Sequence, residues 1–379
     1  MKDILFRDDN SLLGGNWYKL SKKLFVIPCI LIFVGLIAIY SLIGTEYSFT
    51  LLVKHILYLL ISILTLIFIS LLPINDLRRL LNLLSILFIF LLFLVPLLGY
   101  EIKGATRWIN LSYFSIQPSE FAKIGLVIGL AAYFSTHQRK IKTFMYGFFI
   151  PSVVIGVICG LILKQPDFGT CFLCGAVAAT LMFQSGTSLK WLLPVATLAI
   201  AAFSVLVYFD PVRIRRVTSF LDVEANANDS AYQLWQGMLA FGVGGLNGVG
   251  LGMGRQQMHF LPEAHTDFIF PVIGEELGLV STLSILLCFT LLFLFVYWKL
   301  RLSTKLYEYQ LALGGLLFIS LQAIINMGVV TGSLPPKGMS LPFISYGGSN
   351  LMVTFIFLGL IINVFRKMDN PRGIQPREI

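Results

Sequence analysis

Three ionisable side chains stand close together in the stretch LPEAHTDFIF, residues 261–270. They are Glu263, His265 and Asp267, and apolar sequence begins directly after them. Partial removal from water raises the pKa of a carboxylate whereas nearby cations lower it, and proteins use this balance to produce a general base. Asp267 is therefore a candidate base. The alternative is that Asp267 only caps a helix, while Glu263 and His265 face water.

Two basic stretches could supply the complementary charge. FDPVRIRRV carries Arg213, Arg215 and Arg216 at close spacing, and KGATRWI carries Arg107 next to Trp108. Guanidinium groups form paired hydrogen bonds to phosphate oxygens, so these residues could bind an anionic group. An ordinary solvated loop would explain the arginine cluster equally well.

Two further stretches place charged residues at the ends of apolar segments. IQPSEFAK contains Gln117, Glu120 and Lys123, and its two charged residues, three apart, could pair on one helical face. Ionisable groups within a spanning helix are costly and are functional candidates by default, although a structural ion pair is the alternative. KQPDFGT places Lys164 and Asp167 around a proline, which is typical of a short turn with a local ion pair.

The composition indicates that membrane helices position these residues. Of the 379 residues, 57% are hydrophobic and 12% are charged, whereas soluble domains contain about 25% charged residues. Apolar runs of about 20 residues are long enough to span a bilayer. The predicted spans, about ten in number, are 24–43, 51–72, 80–99, 117–135, 145–163, 169–186, 190–209, 267–298, 308–332 and 343–365.

The positions of Lys and Arg predict how these spans are oriented. Most of the 28 basic residues fall on one side when the spans alternate, and cytoplasmic loops carry such an excess. The sequence therefore predicts an all-α, polytopic membrane protein with both termini cytoplasmic. Its predicted parts are a tail at 1–23, a transmembrane domain at 24–365, a tail at 366–379, and one long outer loop at 210–266 between helices seven and eight.

Other kinds of site have little support in the sequence. The net charge of +9 reflects topology and does not indicate nucleic acid, and the 5 cysteines lie in apolar runs, where packing explains them best. His259 and His265 lack the spacing of metal ligands. The glycine-rich run from Gly237 to Gly254 matches no nucleotide-binding pattern. It predicts instead a re-entrant segment packed closely against helices.

Taken together, these residues indicate general-base chemistry beside a phosphate-binding patch at the outer membrane face. Glu275 and Glu276, which follow in PVIGEELG, would add further carboxylates to the same region. A hydroxyl acceptor and a lipid-linked phosphate donor would fit such a site. The alternatives are a transporter of lipid-linked precursors and a structural hub for other membrane proteins, although the internal symmetry of many transporters is not visible.

The chain resembles the SEDS family, the polytopic bacterial proteins FtsW, RodA and SpoVE. The resemblance covers nearly the whole chain and rests on six stretches in order: KGATRWI, IQPSEFAK, QPDFGT, residues 232–254, LPEAHTDFIFPVIGEELG and NMGVVTGSLPPKGMSLPFISYGGSN. Within the family, Ala264 and PPKGMSLPF are more similar to the division-type members than to the rod-system members.

This resemblance implies a peptidoglycan glycosyltransferase that polymerises lipid II at the outer face of the bacterial cytoplasmic membrane, at the division septum. A rod-type enzyme of cell elongation and a lipid II flippase are the alternatives. The implied partners are lipid II, a class B penicillin-binding protein with transpeptidase activity, and other division-complex membrane proteins. No nucleic acid is implied.

The resemblance also implies individual roles. Asp267 would be the catalytic base that deprotonates the acceptor hydroxyl. The residues expected to steady the pyrophosphate are Arg107, Lys123, Arg213, Arg215 and Arg216; a divalent cation (Mg or Mn) could share this role, but no metal ligand is assigned. Trp108, Gln117 and Glu120 would shape the cavity for lipid II. Glu263 and His265 would hold the loop and tune the Asp267 carboxylate.

Overall fold

The computed structural model describes residues 25–43, 49–102, 105–110, 115–256 and 260–369. These residues are mostly helical, and a helix occupies each of the predicted spans. The helices are α1 (Val26–Ser41), α2 (Phe49–Leu71), α3 (Ile74–Leu98), α4 (Pro118–Thr136), α5 (Ile150–Lys164, entered through a π-helical turn at Met145–Phe149), α6 (Phe168–Gln184), α7 (Leu189–Tyr208), α8 (Pro211–Leu221), α9 (Tyr232–Gly244), α10 (Ile269–Leu300), α11 (Leu306–Val330) and α12 (Gly348–Asp369).

Six of these helices are long and apolar enough to cross a membrane: α2, α3, α5 with its π-helical turn, α10, α11 and α12. Shorter apolar helices lie at α1, α6 and in the first part of α7. The predicted polytopic helical fold is therefore confirmed, while the number of spans and their orientation stay predictions. The N-terminal tail lies outside the described residues. α12 continues to Asp369, past the predicted boundary at 365. The rest of the predicted C-terminal tail, 370–379, also lies outside the described residues.

The fold differs from an all-α expectation in one connection between helices. Residues between α3 and α4 form a small antiparallel sheet of β1 (Tyr100–Ile102), β2 (Ala105–Asn110) and β3 (Ser115–Ile116). In its register Tyr100 faces Trp108 and Ile109 faces Ile116. Aromatic and β-branched residues favour such pleated pairs, and the short length of the strands hides this signal among apolar helices.

The long outer loop also contains regular structure, in the form of α8 and α9. The helical rhythm predicted after residue 231 is confirmed by α9. Asp210 accepts a hydrogen bond from the backbone N–H of Arg213 (3.2 Å), and Pro211 occupies the first position of α8. Both features favour a helix start, so the arginine cluster lies on a helix and not in an irregular solvated loop.

Helices α4, α11 and α12 form the buried centre of the molecule. The rings of Phe318 and Phe357 stack with centroids 5.3 Å apart, and a Cβ on Gly314 would lie 2.6 Å from Val127. Such close contacts between small and large residues hold membrane helices together. By contrast, α2, α3 and α7 expose many large apolar side chains, as helices facing lipid do.

The glycine-rich segment after α9 packs tightly against α10, which confirms the predicted close packing. α10 leaves helical geometry at Gly278 (φ 75°, ψ −175°), and the backbone of 245–250 hydrogen-bonds to it there. Glu276 accepts a bond from Gly252 N (2.8 Å) and Glu275 from Arg255 N (2.7 Å). These two carboxylates are thus turned towards backbone amides, and the expectation that they add to the Asp267 region is wrong.

We predict that Gly248→Ala destabilises the protein. Gly248 has φ 78°, and a Cβ there would lie 2.1 Å from the carbonyl oxygen of Glu276. Strain of this kind costs about 1–3 kcal/mol, so thermal unfolding in detergent should begin at a lower temperature. Gly242→Ala in α9 is the matched control, because nothing lies within 4 Å of a Cβ at that position. Equal unfolding temperatures for the two variants would contradict the prediction.

Candidate functional site

A cavity of about 390 Å³ lies beside the N-terminal end of α10. Its wall combines carboxylates and cations from distant parts of the chain. The lining residues are Arg216, Asp229, Ser230, Tyr232, Gln233, Leu234, Pro262, Glu263, Asp267, Phe268, Pro336, Lys337 and Gly338. Of the residues singled out in the sequence, Asp267, Glu263 and Arg216 are brought together here.

Asp267 is held by the segment that follows α11. The side-chain amide of Asn326 donates to the backbone carbonyl of Asp267 (2.8 Å) and to that of Met339 (2.6 Å). A Cβ added to Gly338 would lie 2.5 Å from Oδ2 of Asp267. The carboxylate therefore rests directly against the backbone at residue 338. The structure assigns Phe268 as the N-cap residue of α10, one position after Asp267.

Glu263 and His265 shape the turn that presents Asp267. Glu263 adopts a left-handed conformation (φ 59°), and its Oε2 accepts a hydrogen bond from Thr266 Oγ1 (3.1 Å). The carbonyl of His265 accepts a bond from Tyr346 N (2.9 Å), and the two rings lie 5.5 Å apart. Glu263 also lines the cavity, whereas His265 packs behind the turn.

The arginines predicted to bind phosphate separate into two groups. Arg216 lines the cavity. Arg213 stacks on the ring of Phe168 (3.6 Å) and pairs with Asp210 (3.0 Å), and Arg215 pairs with Asp229. Only one of the three therefore contributes to the cavity wall. Arg107 donates to the backbone carbonyls of Gln165 (2.8 Å) and Pro166 (2.7 Å), outside the cavity lining.

The partner of Asp167 is Lys337, not the neighbouring Lys164, so the expected local ion pair is wrong. Lys337 Nζ lies 3.5 Å from Asp167 Oδ1. Burial raises the pKa of Asp167, but the charges of Lys337 and Arg107 and a hydrogen bond from Thr170 outweigh this, so the pKa lies below its ordinary value. Lys337 lines the cavity, and sequence reasoning missed it because its partner is far away in the chain.

Glu120 and Lys123 form a separate buried group among α4, α11 and α12. Lys123 Nζ donates to Glu120 Oε1 (2.7 Å) and to Gln322 Oε1 (2.9 Å), and Gln322 in turn donates to Asn350 (2.7 Å). Gln117 N donates to Ser349 Oγ (3.0 Å). These residues and Trp108 on β2 do not line the cavity beside Asp267. The proposed roles of Glu120 and Lys123 in binding substrate stay predictions.

No metal-binding cluster appears in the described ranges. Three or more His, Cys, Asp or Glu side chains arranged to hold a metal ion are not found there. The cavity does contain the carboxylates of Asp267 and Glu263. Mg²⁺ is usually held by one or two carboxylates together with substrate phosphates, and this donor set is compatible with that arrangement.

Comparison with known proteins places this arrangement in a family. The family model FTSW_RODA_SPOVE, described as "Cell cycle protein", matches residues 21–370. The chain belongs to this family. It is a multi-pass membrane protein, as the helices long enough to cross a membrane already indicate.

Individual relatives and structures agree with this assignment. A relative from Geobacter sp. (strain M18), named "Probable peptidoglycan glycosyltransferase FtsW", is 40% identical over 277 residues, which are 72% of this chain and 75% of the relative. A solved structure described as "Structural coordination of polymerization and crosslinking by a peptidoglycan synthase complex" has a TM-score of 0.77 at 25% identity, covering 91% of this chain and 97% of the other. The Thermus thermophilus rod shape determining protein RodA (TM-score 0.69, 24% identity, 91% and 96% covered) shares the fold.

Proposed function

We propose that this FtsW/RodA/SpoVE family member is a peptidoglycan glycosyltransferase. It polymerises lipid II into β-1,4 glycan strands at the outer face of the bacterial cytoplasmic membrane. The observation that carries the proposal is the placement of the Asp267 carboxylate in a cavity wall that also contains Arg216. The names of its FtsW relatives support this activity.

In the proposed reaction, Asp267 accepts the proton of the acceptor sugar hydroxyl. The hydroxyl oxygen then attacks the anomeric carbon of the lipid-linked glycan, and the bond from that carbon to the diphosphate oxygen breaks. Inversion at the carbon converts the α-linked donor into a β-linked product. The diphosphate leaves with the electron pair, and the guanidinium of Arg216 stabilises the developing charge, which is most effective in a site shielded from water.

The FtsW names of the relatives favour a role in septal cell-wall synthesis over one in elongation. The similarity to a peptidoglycan synthase complex supports a second proposal, that a class B penicillin-binding protein with transpeptidase activity binds this chain. Other division-complex membrane proteins are proposed partners as well. Co-purification of the cognate transpeptidase with the full chain tests this, and failure to co-purify would count against the pairing.

We predict that Asp267→Asn and Asp267→Ala abolish glycan synthesis. Loss of a general base lowers the rate about 10²–10⁴-fold, and Asn keeps the size of the side chain. The measurement is glycan polymer formed from purified lipid II in detergent, separated on a gel, with and without the cognate transpeptidase. Glu224→Gln, an exposed residue of the same outer loop, is the matched control and should leave synthesis unchanged.

The outcomes of this experiment separate the candidate functions. Normal polymerisation by Asp267→Asn would refute the role of Asp267. A flippase would instead move labelled lipid II across liposomes without forming polymer. A structural hub would do neither.

We predict that Gly338→Ala lowers glycan synthesis without changing any charge. The added Cβ would occupy the space 2.5 Å from Oδ2 of Asp267 and displace the carboxylate. A misplacement of about 1 Å can cost about 10²-fold in rate. Gly347→Ala is the control in the same connection, since its Cβ would meet only Asn350 at 3.8 Å. Full activity of Gly338→Ala would show that the position of the carboxylate is not critical.

A divalent cation, Mg or Mn, is part of the proposal. The carboxylates of Asp267 and Glu263 together with the diphosphate of the substrate would hold it, which is the usual way Mg²⁺ binds at phosphate sites. Glycan synthesis should then fall at least about tenfold in excess EDTA and recover when Mg²⁺ or Mn²⁺ is restored. Synthesis that is unchanged by EDTA would remove the cation from the proposal.

A further inference from the structure

The QPDFGT segment, residues 165–170, contacts the cavity wall through Lys337. Asp167 is the N-cap of α6, and its Oδ1 accepts a hydrogen bond from Thr170 N (3.3 Å). The same oxygen lies 3.5 Å from Lys337 Nζ. Gly169 provides the necessary space, because a Cβ there would lie 2.3 Å from Lys337 Cε. The proposed reaction assigns no role to Asp167, Gly169 or Lys337.

The side chain of Lys337 contacts Asp167 and also lines the cavity. Asp167 is almost fully enclosed, with 5% of its side chain exposed, whereas 25% of the Lys337 side chain remains exposed. Lys337 also lines the cavity and directly precedes Gly338, against which the Asp267 carboxylate rests. An ammonium group has three donors, so a contact to Asp167 leaves donors that can turn towards the cavity.

Two further cations lie near the Lys337–Asp167 ion pair. Arg216 shares the cavity wall, and Arg107 acts electrostatically on both members of the ion pair. Arg107 also fixes the QPDFGT segment through the carbonyls of Gln165 and Pro166. Lys337 and Arg216 therefore both present donors at the cavity wall, and a diphosphate offers several acceptor oxygens for such groups.

We propose that Lys337 binds the diphosphate of the lipid-linked donor, and that Asp167 positions the Lys337 ammonium for this contact. The proposal deepens the proposed function and rests on it for the identity of the donor. Lys337 is thereby a substrate-binding residue on the wall that holds Asp267. Asp167 is a positioning residue that acts through Lys337.

Asp167 has a second, electrostatic effect on Lys337. Burial lowers the pKa of Lys337, the Asp167 charge raises it, and the Arg107 and Arg216 charges lower it. The net pKa lies below the ordinary lysine value. The remaining ionisable groups of the cavity wall are the carboxylates of Asp267, Glu263 and Asp229 and the phenol of Tyr232. Without Asp167, Lys337 loses its proton at a lower pH, and its affinity for an anion falls there.

The test is direct binding of undecaprenyl diphosphate to the purified full chain in detergent. This lipid carries no sugar, so binding is measured without turnover. Wild type should bind it more tightly than undecaprenyl monophosphate, and Lys337→Gln should bind it about ten- to hundredfold more weakly, the loss of one charge-assisted contact. Inorganic pyrophosphate distinguishes the source of the anion: the proposal expects it to compete only at much higher concentration. Lys164→Gln, an exposed lysine beside the same segment, is the control and should bind normally.

A purely structural role of the ion pair predicts a different pattern. Lys337→Gln leaves a buried carboxylate without its cation, and such a change destabilises a fold. The double variant Lys337→Gln with Asp167→Asn removes both charges and should recover thermal stability but not binding. Asp167→Asn alone should shift the alkaline loss of binding to lower pH. Recovery of binding in the double variant, or an unshifted pH profile, would overturn the proposal.

Failure of this proposal is distinguishable from failure of the proposed function. If glycan is made and depends on Asp267 while Lys337→Gln binds the diphosphate normally, only the role of Lys337 is wrong. If the lipid binds through Lys337 but no glycan forms, the proposed reaction is wrong and the binding site stands. Absence of any binding by wild type would overturn the proposal for Lys337.

Discussion

The side-chain amide of Asn326 joins two of the segments that form the cavity wall. Its N–H groups donate to the carbonyls of Asp267 and Met339 at 2.8 and 2.6 Å, and the residue is buried. Ser345 adds a bond to the carbonyl of Thr266 (2.6 Å). A buried carbonyl without a partner costs about 1–3 kcal/mol, so these bonds fix the register of the 336–346 segment against the turn before α10. The contact of Asp267 with Gly338 exists only in that register.

The need of backbone groups for hydrogen-bond partners also explains where the glycine-rich segment after α9 packs. The part of α10 that follows the break at Gly278, residues 279–300, is about 33 Å long at 1.5 Å per residue, which is enough to cross a hydrocarbon core of about 30 Å. The turns of α10 before the break therefore extend beyond the core, and the glycine-rich segment lies beside them. Backbone amides placed there need acceptors, and Glu275 and Glu276 provide them. These carboxylates support the part of the protein that carries the cavity, although they do not enter the cavity.

Apolar run length and charge placement were enough to predict the helices, because a spanning helix is a local property of about 20 residues. The turn around Asp267 was also found from local sequence, since three ionisable groups at an apolar boundary are unusual. The pairing of Asp167 with Lys337 could not be predicted, because it joins positions far apart in the chain. Asp167 has Lys164 as a nearer cation in the sequence, whereas Lys337 has no acidic residue close to it in the sequence. The strands β1–β3 were not predicted either, because they are too short to show a clear alternation of apolar and polar residues.

A comparison of the Lys123–Glu120 and Lys337–Asp167 ion pairs shows why position decides function. Lys123 sits within the group of α4, α11 and α12, where Glu120 and Gln322 both accept from it at less than 3 Å. An ammonium so surrounded has little to offer a ligand, and its loss would leave Glu120 without its cation. Within the described part of the chain, the ion pair of Lys337 is longer, at 3.5 Å, and 25% of its side chain remains exposed on a cavity wall. The Lys337–Asp167 pair can exchange part of its interaction for a substrate anion, whereas the Lys123–Glu120 pair is enclosed among the helices that carry it.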